Sequence, residues 1–248
     1  MPYIIEECYA GLTKEVKRYY TSRYKKRGDR GQKVNDTPEA TKKENQRIAE
    51  RNLRRLINTN FQGGDLLITL DFHKWQPLDS IEMQSMISGA IRKLKALYRK
   101  EGSELKYIYV KEVGPRGGRH IHMLVNKIDY EILQEWWYDF GAVHFQALDY
   151  TGQYRKIAAY FIKYAYTTEK TEGKLIGKRW YSSLNLEKPK IRKRIVKTAN
   201  EFKNTVKIPD GWYLDKDTLA EGVSEVTGYS FFEYTLVKNE RGPNDSDS

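Results

Sequence analysis

One cysteine, Cys8, in 248 residues leaves no disulfide framework and no cysteine-based zinc cluster, a usage that fits a reducing interior. No apolar run approaches the ~20 residues that span a bilayer. The opening MPYIIEECYA lacks the basic stretch followed by an apolar one that marks a secretory signal. These absences predict a cytoplasmic protein with no membrane partner. Acidic residues are also scarce: 33 Asp and Glu stand against 44 Lys and Arg, a net charge of +11. The expected large partner is therefore a polyanion, nucleic acid first. No internal repeat is visible. GKLIGKR (173–179) is one residue short of a phosphate loop and lacks Ser or Thr after its Lys, so it reads as a loop rather than part of an ATPase motor.

Composition divides the chain into three stretches, 1–60, 61–187 and 188–248. The first is read as a basic helical extension. It breaks at Gly28 and Gly31, and a helix follows from Thr37 as cap and Pro38 at its first position, with Ile48, Leu53, Leu56 and Ile57 as apolar stripe. The third is a basic and aromatic extension, densest in KPKIRKRIVK (188–197), that ends in the disordered tail NERGPNDSDS.

The middle stretch alternates. DLLITLDF (65–72) is a buried-type strand and residues 78–102 form a long amphipathic helix that Gly102 can end. KYIYVKEVG and RHIHMLVNK are strands around GPRGG; residues 129–141 form a helix with Asp129 as cap. A strand at 142–148 and a helix at 154–167 complete the set. A hairpin between helices predicts an α+β fold, an antiparallel sheet packed by helices, rather than a doubly wound parallel sheet.

The hairpin carries a candidate metal site. Side chains alternate faces along a strand, so His120 and His122 share one face, while Ile121, Met123 and Val125 share the other. A turn centred on Arg116 sets Glu112 opposite His120 and Val110 opposite His122. One carboxylate and two imidazoles then meet at a common cation, above the apolar Ile108, Val110 and Leu124. Two nitrogens and one carboxylate leave coordination positions open, as a catalytic Mn²⁺, Mg²⁺ or Zn²⁺ requires. The same residues also fit an ordinary hairpin with two structural histidines. His73 and His144 have no such company and are read as structural or surface residues.

The second candidate is AAYFIKYAY (158–166). On a helical wheel Tyr160 falls between an apolar stripe of Ile157, Phe161 and Ala165 and a polar edge of Lys156 and Lys163; Tyr164 falls nearer the stripe. Neighbouring ammonium groups favour the charged phenolate and can hold a phosphate. The bland alternative is an amphipathic helix with tyrosines at its edge. Taken together, a metal with open positions and a phenol suggest displacement at a phosphodiester, with a phosphotyrosine link as product.

HIHMLV (120–125) resembles the His-hydrophobic-His motif of the HUH endonucleases, YFIKY (160–164) resembles their Tyr-x-x-Lys-Tyr motif, and LLITLDF (66–72) resembles the strand ahead of both. Order and spacing over roughly 64–185 are similar to rolling-circle replication initiators of small phages and plasmids, of the two-tyrosine kind found in phage gene A and gene II proteins. The resemblance implies a central antiparallel sheet of about five strands flanked by helices, with the basic extensions outside it. It implies Mn²⁺ or Mg²⁺ on His120, His122 and Glu112, attack by Tyr160 on single-stranded origin DNA, and a 5′-phosphotyrosine beside a free 3′-OH. Lys163 would position the phosphate, Tyr164 would serve as second nucleophile, and a host helicase in the bacterial cytoplasm would open the duplex. Two alternatives stay open: a transposase or relaxase with the same chemistry, and a nucleic-acid-binding protein without catalysis. A weaker third is a metal-dependent phosphodiesterase that uses water.

Overall fold

The computed structural model describes residues 2–20, 39–73, 80–113, 118–172, 178–197 and 201–239, the side chains of residues 80, 167 and 169–172 excepted. In chain order the first elements are β1 (Tyr3–Ala10), β2 (Thr13–Tyr20), α1 (Glu39–Asn60), β3 (Leu66–Asp71) and α2 (Ser80–Lys100). β4 (Tyr107–Val113), β5 (Arg119–Val125), α3 (Tyr130–Trp137), β6 (Val143–Ala147) and α4 (Arg155–Glu172) follow. β7 (Tyr181–Ser182), β8 (Lys190–Val196), β9 (Trp212–Val223) and β10 (Ser230–Lys238) close the order. The breaks at Gly28 and Gly31, the Thr37–Pro38 cap, turn residues 114–117, loop residues 173–177 and the tail from 240 onward lie outside the described residues. Among the described residues no helix is long and apolar enough to cross a membrane.

The fold is α+β with two five-stranded antiparallel sheets. The contacts separate two units. One comprises Asn60–Tyr150 with Tyr154–Glu187; the other comprises Met1–Thr59, Thr151–Gln153 and Lys188–Ser248. Among the described residues, the two ends of the chain therefore do not form separate helical extensions. They supply five strands of one sheet, in the order β8-β1-β2-β10-β9, together with α1.

In that terminal unit α1 buries Ala49, Leu53 and Ile57, while Ile48 and Leu56 of the expected stripe are only half-buried. Arg55 is buried as well. It donates from Nε to Glu15 Oε2 at 2.7 Å and from Nη2 to Glu6 Oε1 at 2.9 Å, and Arg54 Nε reaches Glu15 Oε1 at 2.7 Å. Burial alone would raise the Glu15 carboxyl, but the two guanidinium groups win and hold it below its ordinary value. The tight β1–β2 turn depends on Gly11 at φ +55, where a Cβ would stand 1.9 Å from the Asn58 carbonyl oxygen.

The central unit is built on the sheet β6-β3-β5-β4-β7. One face presents Leu66, Ile68, Leu70, Tyr109, Ile121, Met123 and Val125. It packs against Met83, Ile87 and Leu94 of α2 and Leu133, Trp136 and Trp137 of α3. Each such fully buried aliphatic side chain contributes roughly 1.5–3 kcal/mol, so this layer is the rigid floor for the opposite face. Gly102 ends α2 at φ +70, with Ser103 N donating to the Tyr98 carbonyl at 2.9 Å. Asp129 caps α3 by accepting from Glu131 N.

The opposite face is covered by α4, which lies along β4. Ala158, Phe161, Ile162 and Ala165 are apolar residues that it buries, against the fully buried Ile108, Val110 and Leu124 of the sheet. Thr168 locks the helix to the strand: its Oγ1 accepts from Val113 N and donates to the Lys111 carbonyl, both at 3.0 Å.

Candidate active site

The hairpin has the register expected for a turn centred on Arg116: Glu112 pairs with His120 and Val110 with His122. β3 lies on the other side of β5, with Asp71 opposite His120 and Thr69 opposite His122. Because strand residues alternate, Thr69, Asp71, Glu112, His120 and His122 all emerge on the face covered by α4. A polar patch thus interrupts an otherwise apolar surface.

The side chains pair two by two. His122 Nε2 is 2.7 Å from Glu112 Oε2, so Glu112 bonds the diagonal histidine rather than its direct partner. His120 Nδ1 bonds Asp71 Oδ1 at 2.7 Å, and the other Asp71 oxygen receives His144 Nε2 at 3.1 Å. Among the described residues no group of three His, Cys, Asp or Glu is disposed to hold a metal ion as placed. His120, His122 and Glu112 are brought onto one face but not around one point.

Asp71 is the residue missed from the sequence, and the structure shows how firmly it is set. Its N–H donates to the Ala142 carbonyl at 2.9 Å, and its own carbonyl accepts from Trp137 Nε1 at 2.9 Å. Gly141 permits the approach, since a Cβ there would lie 2.0 Å from the Asp71 carbonyl oxygen. The available signal was Thr69 and Asp71 at alternate positions of LLITLD, the polar side of an otherwise apolar strand. His144, read as structural or surface, is exposed and joins the patch through Asp71. His73 contributes its backbone, donating from N to the Phe140 carbonyl at 3.0 Å.

His122 is the centre of the arrangement. Its Nδ1 is 3.1 Å from Thr69 Oγ1 and 3.4 Å from Tyr160 Oη. The Tyr164 ring stacks on the imidazole at 4.4 Å, and the Tyr160 ring meets it edge-on at 5.0 Å. The two phenol rings contact each other at 4.3 Å. Burial holds the His122 pKa below its ordinary value although Glu112 pulls it upward, so the ring is neutral near neutral pH.

The tyrosines differ from the helical-wheel expectation in two respects. The buried stripe runs through Ala158, Phe161, Ile162 and Ala165, which leaves Tyr160 and Tyr164 both half-buried at its edge. Tyr164 is thus as close to the imidazole as Tyr160. Lys156 and Lys163 are exposed, and the Tyr160 phenol is pushed up rather than down, by burial first, then by its hydrogen bond to Tyr164 and by the Glu112 charge. The protein alone therefore keeps Tyr160 protonated.

Every one of these groups falls within a single stretch of the chain. Residues 65–170 match the family model described as replication-associated protein ORF2/G2P. The matched region starts just before β3 and ends within α4, so it takes in both histidines, Glu112, Asp71 and both tyrosines. The likeness of this region is to replication-associated proteins. No curated protein and no solved structure matches the chain.

Proposed function

We propose that the chain is a metal-dependent nickase that cuts single-stranded DNA at an origin and starts rolling-circle replication. The observation that carries the reading is the pair of α4 phenols on one imidazole, His122, inside a region similar to replication-associated proteins. In the proposed step Tyr160 Oη forms a bond to phosphorus and the bond from phosphorus to the 3′ oxygen breaks. The phenol proton passes to solvent and the departing oxygen takes up a proton to become the 3′-OH primer. The 5′-phosphate stays on Tyr160, which stores the bond for rejoining. Tyr164, on the same imidazole, is the second nucleophile, and Lys163 positions the phosphate.

The donor set suits a divalent ion, Mn²⁺ or Mg²⁺. His120 turns Nδ1 to Asp71, which leaves its Nε2 as the ligating nitrogen, the pattern of metal-bound histidines, and His122 Nε2 already faces the Glu112 carboxylate. His120, His122 and Glu112 would hold the ion. Bound there, it would neutralise charge developing on the phosphate oxygens. Such help matters for a phenol whose surroundings disfavour its charged form. Strand opening is assigned to a host helicase.

The test is incubation of the chain with labelled single strands and Mn²⁺, followed by a denaturing gel. The expected result is a shifted band removed by protease and absent for Tyr160→Phe. A band that persists in that variant moves the nucleophile to Tyr164. One observation favours a second reading: the carboxylates and imidazoles are bonded pairwise rather than around a point. A DNA-binding protein without cleavage would form no adduct, and chelator would change none of its activities.

A further inference from the structure

The edge strand β8 has no acidic residue in its sequence KIRKRIV and is exposed along nearly its whole length. Among the described residues it pairs only with β1. Edge strands use charge to prevent pairing with other chains, but either sign serves that purpose. Here one sign is used throughout. Alternation puts Lys190, Arg192 and Arg194 on one side of the strand, opposite Tyr9, Glu7 and Ile5.

The carboxylates of the paired strand β1 are already engaged. Glu7, directly across from Arg192, is bonded to Lys14 at 2.7 Å. Glu6 points to the other face, where it holds Arg55 at 2.9 Å and Lys193 at 2.8 Å. Among the described residues, Lys190, Arg192 and Arg194 form no ion pair. The Arg192 guanidinium is instead steadied over the Tyr9 ring, 5.7 Å from its centre, with Lys14 over the same ring at 5.2 Å. That contact holds the group in place without using its N–H donors. Three cations at alternate positions span roughly 13 Å, about the axial rise of four nucleotides in one strand.

We infer that the Lys190–Arg192–Arg194 face of β8 is a docking surface for the phosphate backbone of nucleic acid. It lies in the terminal unit, outside the region that carries the nicking chemistry, and it does not depend on that chemistry. A chain that cuts nothing can still bind by this face, and a nicking chain can lack the property.

Salt dependence tests the assignment, because each neutralised phosphate contributes about 0.9 to the slope of log affinity against log salt on duplex DNA and about 0.7 on single strands. Binding of fluorescent duplex and single-stranded oligonucleotides to the full chain is measured by anisotropy between about 50 and 200 mM salt. Replacing all three residues by Ala is expected to flatten the slope by about 2.7 on duplex or ~2.1 on single strands, and whichever substrate shows the change is the one that uses the face. The Arg192→Lys, Arg194→Lys variant should keep the parental slope. An unchanged slope in the Ala variant, or an equal loss in the Lys variant, overturns the inference. Should the triple variant misfold, Arg194→Ala alone is expected to lower the slope by about 0.9 on duplex or ~0.7 on single strands, and no change there overturns it as well.

Discussion

Asp71→Ala is the most informative single change at the candidate site, because Asp71 is not one of the three groups proposed to hold the ion. Its Oδ1 receives His120 Nδ1 at 2.7 Å and its Oδ2 receives His144 Nε2 at 3.1 Å. Removing the carboxylate frees the His120 ring to rotate and to exchange tautomers, so that Nε2 no longer consistently faces the patch. Loss of such a supporting bond costs about 10–100-fold in metal affinity, or ~1.4–2.7 kcal/mol. The stability cost is smaller. The carboxylate is 32% exposed, which reduces the usual value for a charged hydrogen bond to about 1 kcal/mol. Asp71→Asn keeps one oxygen acceptor and should fall between the parent and the Ala variant. His144→Ala should change Mn²⁺ affinity less than about threefold, since that side chain is 68% exposed and stands behind Asp71. Calorimetric titration of Mn²⁺ into each full-length variant, with a thermal melt as control, measures the series. Unchanged Mn²⁺ affinity in a well-folded Asp71→Ala chain would refute the positioning role.

Three further predictions concern other groups. Tyr164→Phe removes a hydrogen bond that raises the Tyr160 phenol, so adduct formation at Tyr160 should persist and reach half its maximum at lower pH; an unshifted profile counts against the coupling. His122 is depressed from an ordinary value of 6.5, so the unfolded chain binds its proton first, and the stability this ring supplies is complete above about pH 6.5 and is lost as pH falls through its folded value. Denaturant midpoints compared with those of His122→Gln, which lacks the titration, should converge toward low pH. Arg55→Ala leaves Glu6 and Glu15 without their shared guanidinium in a site where all three are buried. It should cost about 3–5 kcal/mol, read as hydrogen-exchange protection lost across β1 and β2.

The same Arg55 explains why the second sheet could not be read from the sequence. The buried side of β1 runs Ile4, Glu6, Cys8, Ala10, and that of β2 includes Thr13 and Glu15. A charge in the middle of a core face breaks the apolar alternation by which a half-buried strand is recognised. The face closes only when α1 delivers Arg54 and Arg55 to those carboxylates. The partner strands are remote as well, with Tyr3 against Val196 and Val16 against Tyr234, and no local pattern reports a pairing over such separations.

The central unit was legible for the opposite reason. Its hairpin is local, so alternation and turn length fix the register without help from elsewhere, and Glu112 does face His120. Facing, however, specifies a backbone position and not a bond. Glu112 reaches past its direct partner to His122, because β3 offers His120 a second carboxylate, Asp71, at the same level of the sheet. Knowing that requires the neighbour on the far side of β5, which the hairpin does not contain. The tyrosines follow the same logic. The wheel orders residues around α4 correctly, but the direction of its buried side is set by the strand it covers. The contact with β4 turns it so that Tyr160 and Tyr164 both touch His122. Two phenols on one imidazole, one stacked and one edge-on, are therefore a property of the packed layers, and a substitution that rolls α4, such as Thr168→Val at its bond to Val113 and Lys111, should alter both tyrosines' contributions together rather than either one alone.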